Sequence, residues 1–415
     1  MLAFSFYSST NDISGVKTWL ENFIQDLSRS GEDIVLNLHH LGENPQASNF
    51  LRFDTTKNVR VFSTTVPKTG HAAVIHTLEF LNATQPAVFI PQALPAPHFA
   101  AKWAENHGLP WVLTMHSDDP AYWSLVDALR PAKGKGAIVA VSASIAAQVT
   151  SRYPDTEVTV IPCGVAIPEQ HVTWNNAKFR IVFSGRLLER QKRISKVMET
   201  LIAACNMSDK LEAVIIGDGT DKAKVEAMVA NARLSNRIRF TGRLSARQVE
   251  NELLQAQAII LMSDYEGLPV ALLEGMAFGL VPVVRNIRSG IPEIVHHATT
   301  GILVDDQPAN VAKELVALAN NQEQWQVLSR NARTLVCNDF SRDACFNKWH
   351  VLLTALASQS HATFPIPTPS PATHPGFFRA LQIFEPRKTS ALTMLTNKLR
   401  QLAKSIKGSI LPAKP

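Results

Sequence analysis

"AIILMSDYEGLPVALLEGMAFGLVPVV", residues 258–284, reads as strand, loop, helix and strand in one short span. "AIILMS" is an apolar run of strand length. Pro269 suits the first turn of a helix, and Gly279 stops that helix ahead of "VPVV". Two strands joined through a helix run parallel, and a parallel sheet is covered on both faces. The helix has almost no polar side: Val270, Ala271, Leu272, Leu273, Met276 and Phe278 leave Glu274 as its one charge. Glu266 lies in the loop before it. A carboxylate in such surroundings costs several kcal/mol unless hydrogen-bonded, on the order of a lost buried polar contact. Neighbouring hydroxyls of a sugar or ribose are suitable donors to it. A core ion pair with a nearby Lys or Arg is the alternative for Glu274.

The same alternation extends outward. "FRIVFSG" (179–185), "LEAVIIGDG" (211–219), "RIRFTG" (237–242) and "GILVD" (301–305) complete one set of strands with helical stretches between. Upstream, "LAFSFYS" (2–8), "DIVLNLHHL" (33–41), "AVFIP" (87–91), "PWVLTMHS" (110–117), "AIVAVS" (137–142) and "EVTVIPCG" (157–164) form a second set. The expected fold is therefore α/β, with two doubly wound Rossmann-like parallel-sheet domains. Residues 1–165 make the first domain, the polar stretch 166–178 the connection, and residues 179–340 the second domain. A helix over 341–357 follows. Residues 358–375, with five prolines and six Ser or Thr, read as an extended spacer, and 376–415 as a basic tail.

A chain of 415 residues with 46% hydrophobic and 18% charged residues is long enough for two cores. Its net charge of +6 is local: residues 376–415 hold eight Lys or Arg and one Glu, a net +7, which leaves −1 for residues 1–375. That balance argues against a global nucleic-acid binder and for a contact between the tail and an anionic surface. In the tail Leu392, Leu395, Leu399, Leu402, Ile406 and Ile410 recur at helical steps, with Lys398, Arg400, Lys404 and Lys407 on flanking faces. This describes a basic amphipathic helix for a membrane surface, or one that packs on its own protein or a second copy. No run of about 20 apolar residues and no secretory signal is seen, so a cytoplasmic protein, peripheral on the inner membrane face, is expected. Four cysteines without metal-ligand spacing read as structural thiols.

Ligands of doubly wound sheets bind at loops leaving the carboxyl ends of the strands. There the chain places Gly185 and Arg186 followed by Lys192, then Gly217 and Gly219, then Glu266 and Gly267. Backbone amides at Gly267, Leu268, Pro269 and Val270 surround a helix start, where the dipole favours an anion; Pro269 itself contributes only its fixed backbone shape. Arg186 and Lys192 suit a diphosphate, and the carboxylates suit hydroxyls. Such a site fits a nucleotide-diphosphate sugar.

The segments "FSGRLLERQKRI", "IIGDGTDKAKVEAMV", "IRFTGRL", "SDYEGLPVALLEGMAFGLVPVV", "SGIPEIV" and "TGILVD" stand in the order of the donor domain of retaining glycosyltransferases of family 4, which the chain resembles over about residues 179–305. The resemblance implies the GT-B fold, with both domains facing a central cleft and the first on the acceptor side. It implies that Arg186 and Lys192 hold the diphosphate, that Glu266 contacts the transferred sugar and that Glu274 binds the ribose. The first half is similar more loosely. "NDISGVKTWLENFIQDLSRSG" is similar to the family's glycine loop and first helix, with Ser14-Gly15 for the usual Gly-Gly pair, which makes Gly15 a donor-binding candidate. "VLTMHSDD" places His116 near the donor sugar. The helix over 341–357 is expected to pack back on the first domain.

The expected reaction is hexosyl transfer from a nucleotide sugar to an acceptor hydroxyl with retained configuration. Surface polysaccharide or a glycolipid is the expected acceptor, with no metal and no other cofactor. Two alternatives keep the fold: an epimerase or phosphorylase, which would change the donor without an acceptor of this kind, and a non-catalytic sugar-nucleotide-binding protein, which would bind without turnover.

Overall fold

The computed structural model describes residues 1–8, 15–40, 58–65, 67 and 69–384. The reading of residues 392–410 as an amphipathic helix, and Ser14 of the glycine loop, lie outside the described residues. The first domain is a seven-stranded sheet of β1 (Leu2–Ser8), β2 (Ile34–His40), β3 (Val59–Thr65), β4 (Val88–Pro91), β5 (Trp111–Met115), β6 (Gly136–Ala140) and β7 (Val158–Val160). The second is a six-stranded sheet of β8 (Phe179–Ser184), β9 (Leu211–Ile216), β10 (Ile238–Gly242), β11 (Ala258–Leu261), β12 (Val281–Arg285) and β13 (Ile302–Val304). Their orders are β3-β2-β1-β4-β5-β6-β7 and β10-β9-β8-β11-β12-β13, with every ladder parallel.

Both sheets reverse direction of growth beside their first strand, between β1 and β4 and between β8 and β11. Such a reversal opens a crevice at the carboxyl ends, because the connections on either side run to opposite faces of the sheet. The strands are apolar throughout where helices cover both faces: every residue of β2, β4, β5, β11 and the central residues of β6 is buried. The edge strand β3 is absent from the sequence reading for the same reason in reverse. Its residues are mostly exposed, with Val61 and Phe62 at 45% and 41%, so no buried face marks it.

The chain crosses from the first domain to the second after Val165 and returns at Ser341. Val165 N donates to Phe340 O (3.0 Å) and Arg342 N to Val165 O (2.9 Å), so the two crossings are tied side by side. Helix Arg342–Ser358 then lies on the first domain. Arg342 pairs with Asp26 (2.6 Å), and Trp349 packs on Trp19 and Phe23 with ring centroids 5.7 and 5.1 Å away.

The proline-rich stretch 358–375 differs from the spacer expected. It is a strap on the first domain: Asn82 exchanges two bonds with the backbone of Ile366 (3.0 and 2.7 Å), Trp103 Nε1 donates to Pro367 O (2.6 Å), and Ile366 is buried. Composition reports that such a stretch lacks helix and sheet bonds, but an extended backbone leaves its carbonyls free for side-chain donors. Helix Pro375–Phe384 continues the strap, setting Phe377 against Phe99 and Phe378 against His71. Among the described residues no helix is long and apolar enough to cross a membrane. All four cysteines are free; burial pushes the Cys205 and Cys345 thiols up to about 11, which keeps them protonated.

Candidate active site

β8 and β11 are neighbours at the reversal of the second sheet, pairing Ile181 with Ala258 and Val182 with Ile259. The loops leaving them are therefore side by side. From the β8 side come Gly185, Arg186 and the short helix Glu189–Lys192; from the β11 side come Asp264, Tyr265, Glu266 and Gly267. Lys192 Nζ meets Glu266 Oε1 at 2.6 Å, with both side chains largely buried. Two of the residues picked out by sequence thus face each other over the crevice. The ammonium has three N–H bonds and Glu266 takes one, so further donors remain for an anion.

Arg186 is exposed and donates to Gln191 Oε1 (2.9 Å). Gln191 is buried and also holds the β11 loop, its backbone O accepting from Asp264 N (2.9 Å) and its Nε2 reaching Tyr265 O (3.4 Å). Sequence reading passed over Gln191, a neutral residue between Arg190 and Lys192 with nothing local to single it out. Arg193 follows in a left-handed conformation (φ 48°) and pairs with Asp306 and with Asp264 (3.6 Å), fastening the same loop to the end of β13.

Gly217 and Gly219 are close-approach positions. Gly217 has φ 132°, and a Cβ there would stand 2.0 Å from Gly185 O; one at Gly219 would stand 2.3 Å from Leu187 O. The loops after β8 and β9 are pressed together at these glycines. Leu268 is buried and Pro269 is the residue just before helix Val270–Ala277, whose start no described side chain caps. Gly15 opens the helix Gly15–Arg29 of the first domain and lies opposite Val270, whose Cγ2 would be 3.6 Å from a Cβ at Gly15.

Glu274 is half-buried on helix Val270–Ala277, and its carboxylate has no hydrogen bond or ion pair among the described residues. Burial, and secondarily the charge of Glu250, raise its carboxyl from the ordinary 4.5 to about 7. The core-bridge alternative for Glu274 thus has no cation to supply it among the described residues.

His116 follows β5, on the opposite wall. Its backbone O faces Gly267, where a Cβ would be 2.2 Å away, so only a glycine lets the two domains meet there. Its ring turns into the first domain: Nε2 lies 2.9 Å from Gln92 Oε1, Nδ1 lies 4.0 Å from Cys163 Sγ, and Trp19 packs edge-on at 4.7 Å. Gln92 donates its amide to Thr114 Oγ1 (3.1 Å), which leaves Oε1 to accept from His116 and places the ring proton on Nε2. Burial lowers the His116 pKa to about 3, so the ring is neutral at physiological pH. Gly267→Ala is expected to keep the fold and to lose most turnover, because the added methyl meets the His116 carbonyl; circular dichroism and initial rates check both halves.

A separate recess of about 390 Å³ lies at the amino ends of β8 and β9, lined by Lys178, Arg180, Glu212 and Gln255 among others. Its charges already pair, Arg180 and Lys178 with Glu212 at 2.7 and 3.0 Å, and it lies at the opposite end of the strands from the crevice. Among the described residues no group of three His, Cys, Asp or Glu side chains is placed to hold a metal ion.

With this geometry in view, comparison with known proteins places the chain. The family described as "Glycosyl transferases group 1" matches residues 168–335, and "Glycosyltransferase Family 4" matches residues 13–167. Each of the two matches takes in less than half of the chain, and between them the first half is similar to one glycosyltransferase family and the second half to the other. The amylovoran biosynthesis glycosyltransferase AmsK of Erwinia amylovora is 30% identical over 189 residues, 43% of this chain and 45% of that protein. The match thus spans less than half the length of this curated relative. Among solved structures, HepE of Anabaena in complex with UDP and glucose superposes with a TM-score of 0.68 at 14% identity, over 85% of this chain and 99% of that one. The lipopolysaccharide outer core galactosyltransferase WaaB gives 0.64 at 17% identity, over 86% and 99%. At these identities the structural matches establish the GT-B fold and no more.

Proposed function

We propose that this protein is a group 1 glycosyltransferase that transfers a hexosyl group from a nucleoside diphosphate sugar to an acceptor hydroxyl, with retention of configuration, in surface polysaccharide or glycolipid synthesis. Glu274 is the observation that carries the reading: a half-buried carboxylate without a described side-chain partner stands on the helix that follows the loop in which Glu266 pairs with Lys192. Hydroxyls donating to it would favour its ionised form, as a ribose does through two adjacent O–H groups. The similar proteins, among them one solved in complex with UDP and enzymes of polysaccharide and lipopolysaccharide assembly, support the same substrate class.

In this mechanism Lys192 and Arg186 bind the diphosphate, and the amides at the start of helix Val270–Ala277 add the positive end of its dipole. The bond from the anomeric carbon to the diphosphate breaks with its electron pair going to the leaving oxygen. The acceptor oxygen bonds the same carbon, and its proton leaves with the diphosphate. Fixed positive charge at the departing oxygen lowers the barrier most, and positioning supplies the rest. Glu266, held by Lys192, faces the sugar. His116 is neutral and bonded to Gln92, so it acts by shape and as a fixed dipole, while its carbonyl meets the donor loop. Contact between the domains excludes water that would hydrolyse the donor.

A panel of nucleoside diphosphate sugars tests the reading by thermal shift followed by turnover with glycan and lipid-linked acceptors. One base and sugar should raise the melting temperature and be consumed only with acceptor present, and consumption should persist in EDTA. A panel without any stabilising nucleotide would overturn the proposal; an isomerised donor without acceptor would favour an epimerase. The basic residues 385–415, beyond the packed helix Pro375–Phe384, are proposed as the anchor to an anionic membrane near the acceptor.

A further inference from the structure

The domains meet at a second place besides Gly267 and His116. Glu293, in the short helix Ile291–Ile294 of the second domain, reaches across the cleft. Its carboxylate accepts from the backbone amides of Ala143 (2.9 Å) and Ser144 (2.8 Å). These amides open helix Ala143–Arg152 of the first domain, where Ser142 Oγ already accepts from Ile145 N (3.3 Å). The first turn of a helix has more N–H groups than its own cap can satisfy, and its dipole favours an anion. Here a side chain of the other domain provides both acceptors and charge. Gly290 makes room for the approach, since a Cβ there would stand 2.9 Å from Ser142 Cβ. Tyr265 lies near Asp119, which caps helix Pro120–Leu129: burial, and then the Asp119 charge, raise the pKa of the Tyr265 hydroxyl.

The Glu293 contact is connected to the donor loop through backbone bonds. Glu293 N donates to Gly290 O (3.2 Å), and Gly290 N donates to Gly267 O (2.8 Å). Any movement of helix Ile291–Ile294 relative to the first domain therefore displaces Gly267, whose loop begins helix Val270–Ala277. Each domain has its own sheet and core, so the loss of two bonds at the rim changes how the domains sit rather than whether they fold.

We propose that Glu293 is a positioning residue: by gripping the first turn of helix Ala143–Arg152 it sets the closed geometry in which transfer occurs, and it passes that geometry to the donor loop through Gly290. The catalytic consequence rests on the transferase reading above, whereas the grip itself is a property of the two domains.

The test uses the full chain with two variants, one from each side of the contact. Glu293→Ala removes the acceptor. Ala143→Pro removes one donor without cost to the helix, because it is the first helical residue and Ser142 before it is extended (φ −147°, ψ 152°). With the best donor, each variant is expected to lower kcat about five- to ten-fold, the scale of one or two charge-assisted bonds at a helix start, while KM for the donor moves about two-fold or less. The double variant should be no slower than Glu293→Ala alone. Small-angle scattering in UDP should show wider particles for both variants than for wild type, with unchanged circular dichroism. Unchanged kcat and scattering in Ala143→Pro, or fully additive losses in the double variant, would overturn the proposal. If no donor is turned over, the scattering still separates the outcomes: wider variants uphold the grip while the transferase reading fails.

Discussion

Glu274→Gln is expected to melt higher than wild type at pH 8 and yet to bind the nucleotide sugar about 10- to 100-fold more weakly, the loss of one or two charge-assisted bonds. The two effects share one cause. In the free protein the Glu274 carboxyl titrates at about 7, above the ordinary 4.5. A carboxyl raised in this way favours the folded state fully only below its unfolded pKa, and that advantage is lost as pH rises through the folded value. At pH 8 the ionised group therefore costs the free protein up to roughly 3 kcal/mol. Glutamine removes that cost, which corresponds to a rise of about 2–5 °C for a chain of this size, and the gain should shrink toward pH 5. Ribose hydroxyls, in contrast, need the charged acceptor. Wild-type donor affinity should accordingly fall about ten-fold per pH unit below 7, and Glu274→Gln should lack that dependence. Thermal melts and titration calorimetry from pH 5 to 8 measure both.

The second large effect is expected for Lys192→Ala. Lys192 and Glu266 meet at 2.6 Å with only 13% and 7% of their side chains exposed. Removing one member of such a pair leaves a buried charge alone, which costs about 3–5 kcal/mol of stability. Turnover should fall about 10²–10³-fold, the scale of losing a preorganised charge at the departing oxygen. Lys192→Ala with Glu266→Gln separates the two contributions. The double variant should regain most of the stability in urea unfolding while its kcat stays as low as that of Lys192→Ala. A double variant that recovers turnover as well would mean that Lys192 serves only to neutralise Glu266.

Most of the fold is legible in the sequence because the central strands of both sheets are buried on both faces, and twelve of the strands stand as short runs between helical stretches. β3 is the exception, since an exposed edge strand has no face to mark it. The strap over 358–375 escapes for a different reason: proline-rich composition describes the local backbone, not the donors of Asn82 and Trp103 that await it. In the candidate site, residues that directly follow a strand end can be picked from their place in the sequence, as with Arg186, Lys192, Glu266 and the glycines. Residues whose part is relational cannot. Gln191 matters because it touches two loops, Tyr265 because Asp119 lies opposite, and Glu293 because a helix of the other domain begins beside it. Nothing local in "SGIPEIV" marks Glu293, because its partners are backbone amides of the other domain. For His116 the position was legible, but the direction of its ring was not: Gln92, which orients it, is 24 residues away.

The most direct measurement compares UDP, or whichever nucleoside diphosphate stabilises the protein best, with its 2′,3′-dideoxy analogue on wild type and Glu274→Gln. The account predicts that at pH 8 wild type binds the analogue about 10-fold or more weakly than the parent nucleotide, on the scale of one hydrogen bond to a charged acceptor, while Glu274→Gln hardly distinguishes the two. Equal discrimination by both proteins would contradict it, since the ribose would then be read by some group other than Glu274.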